Sequence, residues 1–327
     1  MSADSFPLVV IVGPTAAGKS ELGVRLAEVF SGEIVSADAM QLYRGLDIGT
    51  AKVDAETLGR VPHHCLDLLE PHERTSAGKF ARIAGAAIDG IHERGHLPIV
   101  VGGSGFYLRA LVDGLAPLPV QDASWRRALE NIETRCGLAR LYEMLYALDA
   151  EWATQVGDSD RQRILRGLEV TLRSGEPISL ILAREGWSGP GCTTIWVGLT
   201  WPREVLRARI ADRVDAMLAA GWIDEVRALL DGGVPREAEA LRAIGYRDLA
   251  AHLAGEVSLA EARDAIINST RQYAKRQMTW FRKQTPAEWF ERRSVEASDR
   301  QALESRVLAF VSARLDDDRR SLNGGGQ

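Results

Sequence analysis

Short apolar runs alternate with amphipathic segments through the first third of the chain. Residues 8–12, 33–36 and 97–101 are apolar stretches of strand length, whereas residues 19–30 and 76–94 carry apolar side chains every three or four positions. The first pattern is typical of buried strands and the second of helices. Buried strands that alternate with helices predict an α/β fold, with a parallel sheet and right-handed crossovers.

The pattern changes between residues 119 and 193. Helical periodicity predominates there, in segments 125–134, 138–147 and 161–172, and no convincing strand is visible. The glycine-rich stretch 186–191 marks the exit from this region. We therefore predict an all-helical insertion domain at 119–193.

The core pattern returns at residue 194 and continues almost to the end. Residues 194–199 and 287–290 are predicted as strands. Helices are predicted at 203–219, 223–230, 240–254, 259–283 and 299–315. The core domain thus consists of residues 1–118 and 194–315, and the polar tail 316–327 is predicted to be disordered.

A glycine-rich turn joins the first predicted strand to the first predicted helix. It has the pattern G-x-x-x-x-G-K-[ST] in that context, and its residues are Gly13, Pro14, Thr15, Ala16, Ala17, Gly18, Lys19 and Ser20. Backbone N–H groups of such a turn converge on a phosphate, and the helix N-terminus adds partial positive charge. Lys19 supplies a mobile charge, and the Ser20 hydroxyl can hold Mg²⁺. Rather than a chance glycine turn, the segment predicts a P-loop NTPase-like fold and a bound polyphosphate or pyrophosphate.

Asp38 follows the second predicted strand, at the edge of the sheet where the phosphate turn also lies. Three roles are open for it: the base for an acceptor, a Mg²⁺ ligand, or the N-cap of a segment that starts at Ala39. The acceptor base is favoured because Gln41 and Tyr43 nearby are suited to hold a flat polar ring.

Two hydroxyl groups lie inside glycine turns at neighbouring strand ends. Thr15 belongs to the phosphate turn, which favours contact with a phosphate oxygen. For Ser104, in the turn after the third strand, a phosphate contact and a hydrogen bond to the backbone of its own loop are both open.

Composition excludes several classes of protein. The 327 residues are 46% hydrophobic and 26% charged, which is typical of a globular protein with an ample core. Three widely spaced cysteines form no C-x-x-C pair, and the six histidines show no zinc-site spacing. No secretory leader or membrane-spanning stretch is apparent. We therefore expect a cytoplasmic protein.

Basic residues form three sets despite a net charge of −5. No Asp or Glu occurs between Ala265 and Ala287, where aromatic residues are interleaved with basic ones. This composition favours nucleic acid over a merely solvated helix face. The sets are Arg161, Arg163 and Arg166; Arg242 and Arg247; and Arg271, Lys275, Arg276, Arg282 and Lys283.

Six ordered segments together resemble the tRNA dimethylallyltransferase (IPP transferase) family in its bacterial form. They are GPTAAGKS (13–20), SADAMQLY (36–43) with GTAK (49–52), GGSGFY (102–107), DRQR (160–163), AIGY (243–246) and TRQYAKRQMTWF (270–281). Ser104 and Phe106 stand where the family often has Thr and Leu, and the zinc-finger extension of eukaryotic members is missing. The resemblance covers residues 8 to 290.

The resemblance implies transfer of a dimethylallyl group from dimethylallyl diphosphate to N6 of the adenine at tRNA position 37, next to the anticodon. Residues 13–20 would hold the diphosphate with Mg²⁺, Asp38 would be the base, and Thr15, Lys19 and Arg213 would contact the leaving group. It also implies that the chain acts on the tRNA anticodon stem-loop, and a monomer is expected. The tRNA contacts would be Asp38, Ala39, Met40, Gln41, Ser104, Arg126, Gln162, Arg163, Ile164, Leu165, Arg166, Arg242, Ala243, Ile244, Gly245, Tyr246, Arg247, Arg271 and Lys275.

Two other activities fit a phosphate turn beside a carboxylate. One is a P-loop kinase that transfers phosphate from ATP to a nucleoside, and the other is prenylation of free AMP. The basic sets and the helical insertion favour a macromolecular acceptor over both. A non-catalytic RNA-binding module explains neither Lys19 nor Asp38.

Overall fold

A six-stranded parallel sheet forms the centre of the protein, whose computed structural model describes residues 6–116, 118–185 and 192–324. The strand order is β3-β2-β4-β1-β5-β6, and every pairing is parallel. The strands are β1 (Pro7–Val12), β2 (Gly32–Ala37), β3 (His63–His64), β4 (Leu97–Gly102), β5 (Thr193–Thr200) and β6 (Glu288–Glu291). This topology confirms the predicted α/β, P-loop NTPase-like class.

Helices connect the strands and cover the sheet. In chain order they are α1 (Lys19–Phe30), α2 (Ala55–Arg60), α3 (Ala77–Glu93), α4 (Gly105–Val112), α5 (Ala123–Leu148), α6 (Ala150–Val156), α7 (Arg161–Ser174), α8 (Ile178–Glu185), α9 (Arg203–Ala219), α10 (Trp222–Asp231), α11 (Tyr246–Leu253), α12 (Leu259–Gln284) and α13 (Ala297–Gly324). A 3₁₀ turn, Ala240–Arg242, precedes α11.

The sheet is buried on both faces, which explains its continuous apolar runs. Along β1, Val10 and Val12 belong to one apolar cluster, whereas Val9 and Ile11 belong to a second cluster. Successive side chains of a strand point to opposite faces, so each face of the sheet has its own core. A strand covered by helices on both faces needs apolar residues at every position.

The chain divides into two compact units. One comprises Met1–Val112 with Gly191–Gln327, and the other is Asp113–Pro190. The domain boundaries predicted from composition lay at 119 and 193, and the glycine-rich exit at 186–191 falls outside the described residues. The second unit contains α5 to α8 around its own apolar cluster, which includes Leu141, Leu145 and Leu168.

Helix α5 bends where the sequence predicted two separate helices. Gly137, between the predicted segments 125–134 and 138–147, has φ 80° and ψ 165°, outside the helical region. A glycine adopts this conformation without the clash that a Cβ would cause. The predicted break is therefore a kink between two helical halves.

The prediction of a disordered tail at 316–327 is wrong over the residues that the structure describes. Helix α13 continues to Gly324 instead of ending at 315. Its buried residues Leu303, Val307, Val311 and Leu315 form one stripe that packs in the second apolar cluster. Residues 316–320 continue this helix with polar, mostly exposed side chains, so composition alone misjudged them.

Four short elements were missed, namely β3, α2, α6 and α8. Each has eight residues or fewer, too few for a clear hydrophobic period. The predicted helix 240–254 is interrupted before α11 because Gly245 has a φ of 93°. Within the described ranges, no helix combines the length and apolar character needed to cross a membrane.

Candidate active site

A cavity of about 440 Å³ opens at the carboxyl ends of β1, β2 and β4. This is the edge at which ligands bind in open α/β sheets. All of its lining residues belong to the unit that contains the sheet. They include Thr15, Ala16, Ala17, Gly18, Lys19, Ser20, Ile34, Ser36, Asp38, Gln41, Thr50, Ala51, Lys52, Val53, Leu66, Val101, Gly103, Arg213, Tyr273 and Gln277.

The phosphate turn has a backbone shape that requires glycine. Gly13 has φ 146°, and a Cβ there would lie 2.4 Å from the Leu199 carbonyl oxygen on β5. Gly18 has φ 93° and precedes α1. Because no side chain caps α1, the N–H groups of its first turn have no partner within the helix and are available to an anion.

Side-chain donors occupy carbonyl groups of this turn. Arg209 on α9 also places its guanidinium 4.4 Å from the Trp201 ring. With its carbonyls bonded, the turn can direct N–H groups toward the cavity. The bonds run from Lys19 Nζ to Pro14 O (2.8 Å), from Arg209 Nε to Ala16 O (3.0 Å) and from Trp201 Nε1 to Ala17 O (3.1 Å).

Three charged groups predicted for the site line the cavity together: Lys19, Asp38 and Arg213. Burial and the nearby Arg213 charge lower the pKa of Lys19 to about 7, and the Asp38 carboxylate partly opposes this shift. Burial also lowers the pKa of Arg213, again opposed by Asp38. Two partly desolvated cations beside one carboxylate form a site that favours a further anion.

Asp38 accepts a hydrogen bond from Met40 N at 2.9 Å, which closes a local turn. Residues 39–43 form turns and an isolated bridge, so the N-cap interpretation of Asp38 is wrong. The carboxylate lines the cavity, and no second hydrogen bond reaches it from the described residues. It is therefore available to a ligand.

The two residues expected to hold a flat ring are used differently. Tyr43 is fully buried, and its hydroxyl donates to Glu73 O at 3.2 Å, so that prediction is wrong for Tyr43. Gln41 lines the cavity, but its Nε2 donates to Thr50 O (3.0 Å) and Ala51 O (3.3 Å). Its amide therefore holds the adjacent loop.

The glycine turn after β4 is a packing site for α12. A Cβ on Gly103 would lie 2.2 Å from Gln277 Nε2, and one on Gly105 would lie 2.4 Å from the Trp280 ring. Ser104 Oγ accepts from Ala39 N at 3.3 Å. This bond reaches the backbone of the loop after β2 and not that of Ser104's own loop, so neither role predicted for Ser104 is shown.

Gln277 connects the two glycine turns, and sequence reasoning missed it. Its Oε1 accepts from Thr15 N (2.8 Å), and its Nε2 donates to Gly103 O (2.9 Å). Tyr273, one helical turn earlier, donates to the same carbonyl at 3.3 Å. The spacing of four residues between them was the available signal, since it places both on one face of α12.

The residues present fit a magnesium ion. The Ser20 hydroxyl and the Asp38 carboxylate line the same cavity, and oxygen ligands are those that Mg²⁺ prefers. Searching the described parts of the chain finds no cluster of three His, Cys, Asp or Glu ligands. A magnesium ion would thus depend on the ligand's own oxygens, as is usual for phosphate sites.

The predicted tRNA residues of the sheet-containing unit divide into exposed, half-buried and buried ones. Arg242, Arg247 and Lys275 are exposed, and Arg271 is half-buried against Arg207 O. Met40, Ala39 and Ile244 are half-buried. Ala243 and Tyr246 are buried and Gly245 has no side chain, so these three positions present no exposed side chain to tRNA.

The helical unit shows the same division. Ile164 and Leu165 are fully buried in its apolar cluster, which corrects their prediction as tRNA contacts. Arg126 Nη2 donates to Gln162 Oε1 at 2.7 Å, and Arg163 is exposed. Arg166 bonds to Glu169 (3.1 Å) and to Pro119 O (2.5 Å). The exposed polar residues are therefore Gln162 and Arg163, whereas Arg126 is half-buried and also pairs with Glu130.

The fold and the site define a P-loop protein with a cavity lined by Lys19, Arg213 and the Asp38 carboxylate. Comparison with known proteins places it more closely: the family described as IPP transferase matches residues 41–284, and that described as isopentenyl transferase matches residues 6–67. The tRNA dimethylallyltransferase 2 of Geotalea uraniireducens is 46% identical over 288 residues, 88% of this chain and 93% of that protein. The tRNA dimethylallyltransferase of Geobacter sulfurreducens is 45% identical over 284 residues, 87% and 91% of the two chains. The chain belongs to the IPP transferase family and is a transferase.

Solved structures agree with this assignment. The full-length tRNA isopentenylpyrophosphate transferase of Bacillus halodurans has a TM-score of 0.71 at 36% identity, covering 97% of this chain and 99% of that one. A eukaryotic dimethylallyltransferase acting on tRNA has a TM-score of 0.76 at 28% identity, covering 91% and 78%.

Proposed function

We propose that this enzyme transfers a dimethylallyl group from dimethylallyl diphosphate to N6 of an adenine in the anticodon loop of tRNA, at position 37. One observation carries the proposal: Lys19, Arg213 and Asp38 line a single cavity. Cations suited to a diphosphate thus accompany a carboxylate suited to remove a proton. The family relationship supports this reaction over a nucleoside kinase or an AMP prenyltransferase.

The rest of the cavity suits the five-carbon group. Ile34, Val53, Leu66 and Val101 contribute apolar surface to the same cavity as the phosphate turn. Its volume of about 440 Å³ lies within the range of about 300–1,000 Å³ common for small-ligand sites. A dimethylallyl tail can therefore bury its methyl groups while its diphosphate meets Lys19.

In the proposed reaction, the adenine N6 forms a bond to C1 of the dimethylallyl group as the bond from C1 to oxygen breaks. The electron pair of the broken bond leaves with the diphosphate, whose charge Lys19 and Arg213 stabilise. Asp38 accepts the proton that N6 must lose. Ser20 would hold Mg²⁺, which when bound would supply further positive charge for the leaving group.

We assign tRNA contacts to the exposed polar residues of each unit. In the helical unit these are Gln162 and Arg163, together with the half-buried Arg126 that is bonded to Gln162, and in the sheet-containing unit Arg242, Arg247 and Lys275. Arginine and lysine bind phosphates, while single-stranded loops offer unstacked bases to polar side chains. We further propose that the enzyme is a monomer, and that it acts in the cytoplasm because tRNA is the acceptor.

The test is a direct assay with competing substrates. The enzyme is incubated with Mg²⁺ and dimethylallyl diphosphate, with either tRNA or AMP as acceptor, and the nucleosides are analysed after digestion. We expect isopentenyladenosine from tRNA and little product from AMP. Absence of product from tRNA would refute the proposal. In a parallel incubation with ATP and a nucleoside, phosphate transfer would favour the kinase instead.

A further inference from the structure

The loop that forms one wall of the cavity lacks regular secondary structure. Thr50, Ala51, Lys52 and Val53 all line the cavity. Ala51 has φ 50°, in the left-handed region that a residue with a Cβ adopts at a cost. Such a wall keeps its shape only if the surrounding structure holds it in place.

Glu225 on α10 holds the start of this loop. Three consecutive backbone N–H groups, those of Asp47, Ile48 and Gly49, donate to its carboxylate at 2.8, 2.6 and 3.1 Å. The Tyr246 hydroxyl donates to the same carboxylate at 2.6 Å. Consecutive amides that converge in this way form an anion-binding concavity, and here the anion is part of the protein.

The residues around this carboxylate are packed so closely that no Cβ fits at Gly49 or Gly245. A Cβ on Gly49 would lie 2.1 Å from Trp222 Nε1, and a Cβ on Gly245 would lie 2.2 Å from the Trp222 ring. Tyr246 and Trp222 are fully buried and meet edge to face, with ring centroids 5.7 Å apart. The segment 243–246, which the sequence associated with tRNA, therefore supports the loop at 47–49.

The loop in turn is bonded to the segment that carries Asp38. Gln41 Nε2 donates to Thr50 O and Ala51 O, while Gln41 Oε1 accepts from Ser36 Oγ at 2.7 Å. Ser36 and Gln41 lie on either side of Asp38 in the chain. A displacement of the loop would thus also shift the Asp38 carboxylate, because the Gln41 amide bonds to both segments.

We propose that Glu225 is a positioning residue for prenyl transfer: it fixes loop 47–53 and, through Gln41, the placement of Asp38 against the acceptor amine. The assignment rests on the proposed function. It predicts loss of turnover without loss of tRNA binding, because Glu225 lies in none of the proposed tRNA contacts. A misplacement of about 1 Å is enough to lower a rate by about two orders of magnitude.

The test compares Glu225→Gln with Asp224→Asn. Both remove one negative charge from adjacent positions of α10, but Asp224 is exposed and pairs with Arg227 outside the loop. For Glu225→Gln we expect kcat to fall about 10- to 100-fold, with the tRNA KM changed less than threefold. Hydrogen exchange of the peptide spanning 44–53 should be faster. Asp224→Asn should change neither quantity.

Unchanged exchange and kcat in Glu225→Gln would overturn the proposal, as would a lower Tm with normal kcat. If Glu225→Gln fails to fold, Tyr246→Phe decides, because it removes one donor and keeps the three amide bonds. We then expect faster exchange at 44–53 and a kcat about threefold lower, and no change in either overturns the proposal. Failure of the proposed function is distinct, since it would show as no isopentenyladenosine from the wild-type enzyme.

Discussion

Strand β2 carries a carboxylate near each end, and the two differ in almost every respect. Glu33, near the amino end, is 3% exposed and is bonded to Arg94, His64 and His96. Asp38, just past the carboxyl end, accepts a bond from Met40 N and lines the cavity. The hydrogen bonds from Arg94, opposed by burial and assisted by both histidines, lower the pKa of Glu33 to about 2.

Burial of a carboxylate therefore does not identify it as a catalytic group. Glu33 is more buried than Asp38, yet its oxygens are hydrogen-bonded to His64 in β3, to Arg94 at the end of α3 and to His96 before β4. A group with its acceptors filled stabilises the fold, whereas a group with acceptors free can meet a substrate. The two carboxylates lie at opposite edges of the sheet. Asp38 lies at the carboxyl ends of the strands, which is the edge where ligands bind in open α/β sheets.

The strongest test of this difference is a pair of isosteric variants on the two ends of β2. Asp38→Asn removes the proposed base, so kcat should fall about 10²- to 10⁴-fold. Its free energy of unfolding should change by less than about 1 kcal/mol. tRNA binding, measured by filter retention, should persist. Equal loss of binding and turnover would show that Asp38 is a tRNA contact and not the base.

The affinity of the cavity for dimethylallyl diphosphate should depend on pH near neutrality. Because the pKa of Lys19 is about 7, its ammonium is present below pH 7 and is lost as the pH rises through 7. The Kd for dimethylallyl diphosphate should therefore rise about tenfold between pH 7 and pH 8.5. Titration calorimetry on the wild type and on Lys19→Ala checks this. A wild-type dependence identical to that of Lys19→Ala would contradict it.

At the other end of the strand, Glu33→Gln should change stability and spare turnover. Loss of the charge-assisted bonds should lower the free energy of unfolding by about 2 kcal/mol at pH 7. A carboxyl whose folded pKa is depressed to about 2 stabilises fully above its ordinary pKa of 4.5, and this contribution is lost as the pH falls toward 2. Urea denaturation at several pH values should show the two proteins converging in acid. A difference that persists at pH 2 would exclude this cause.

The smallest effect is expected at Tyr43, which was interpreted from sequence as a ring-binding residue. Tyr43→Phe removes one hydrogen bond, to Glu73 O, and should cost about 1 kcal/mol of stability. Turnover should stay within twofold because the ring is buried in the core. A tenfold fall in kcat at unchanged stability would restore the original interpretation of Tyr43.

The sheet was largely predictable because strands covered on both faces are apolar at every position, as in residues 8–12 and 97–101. The phosphate turn followed from its G-x-x-x-x-G-K-[ST] pattern between a strand and a helix, and the placement of Asp38 from its position at the carboxyl end of a predicted strand. Arg213 came only from the family resemblance, since α9 brings it to the cavity from far along the chain. Gln277 bonds to Thr15 across 262 positions, and no local pattern indicates such a partner. Glu225 was hidden for the same reason.

The bonded carbonyl groups of the phosphate turn have a consequence for how the site meets its substrate. A peptide plane that rotated would present an oxygen to the diphosphate and repel it, but Pro14, Ala16 and Ala17 each have a carbonyl held by a side-chain donor. Rotation of those planes would break bonds to Lys19, Arg209 or Trp201. The dipoles are thus oriented before any ligand arrives, so little reorganisation is required when charge develops on the leaving group.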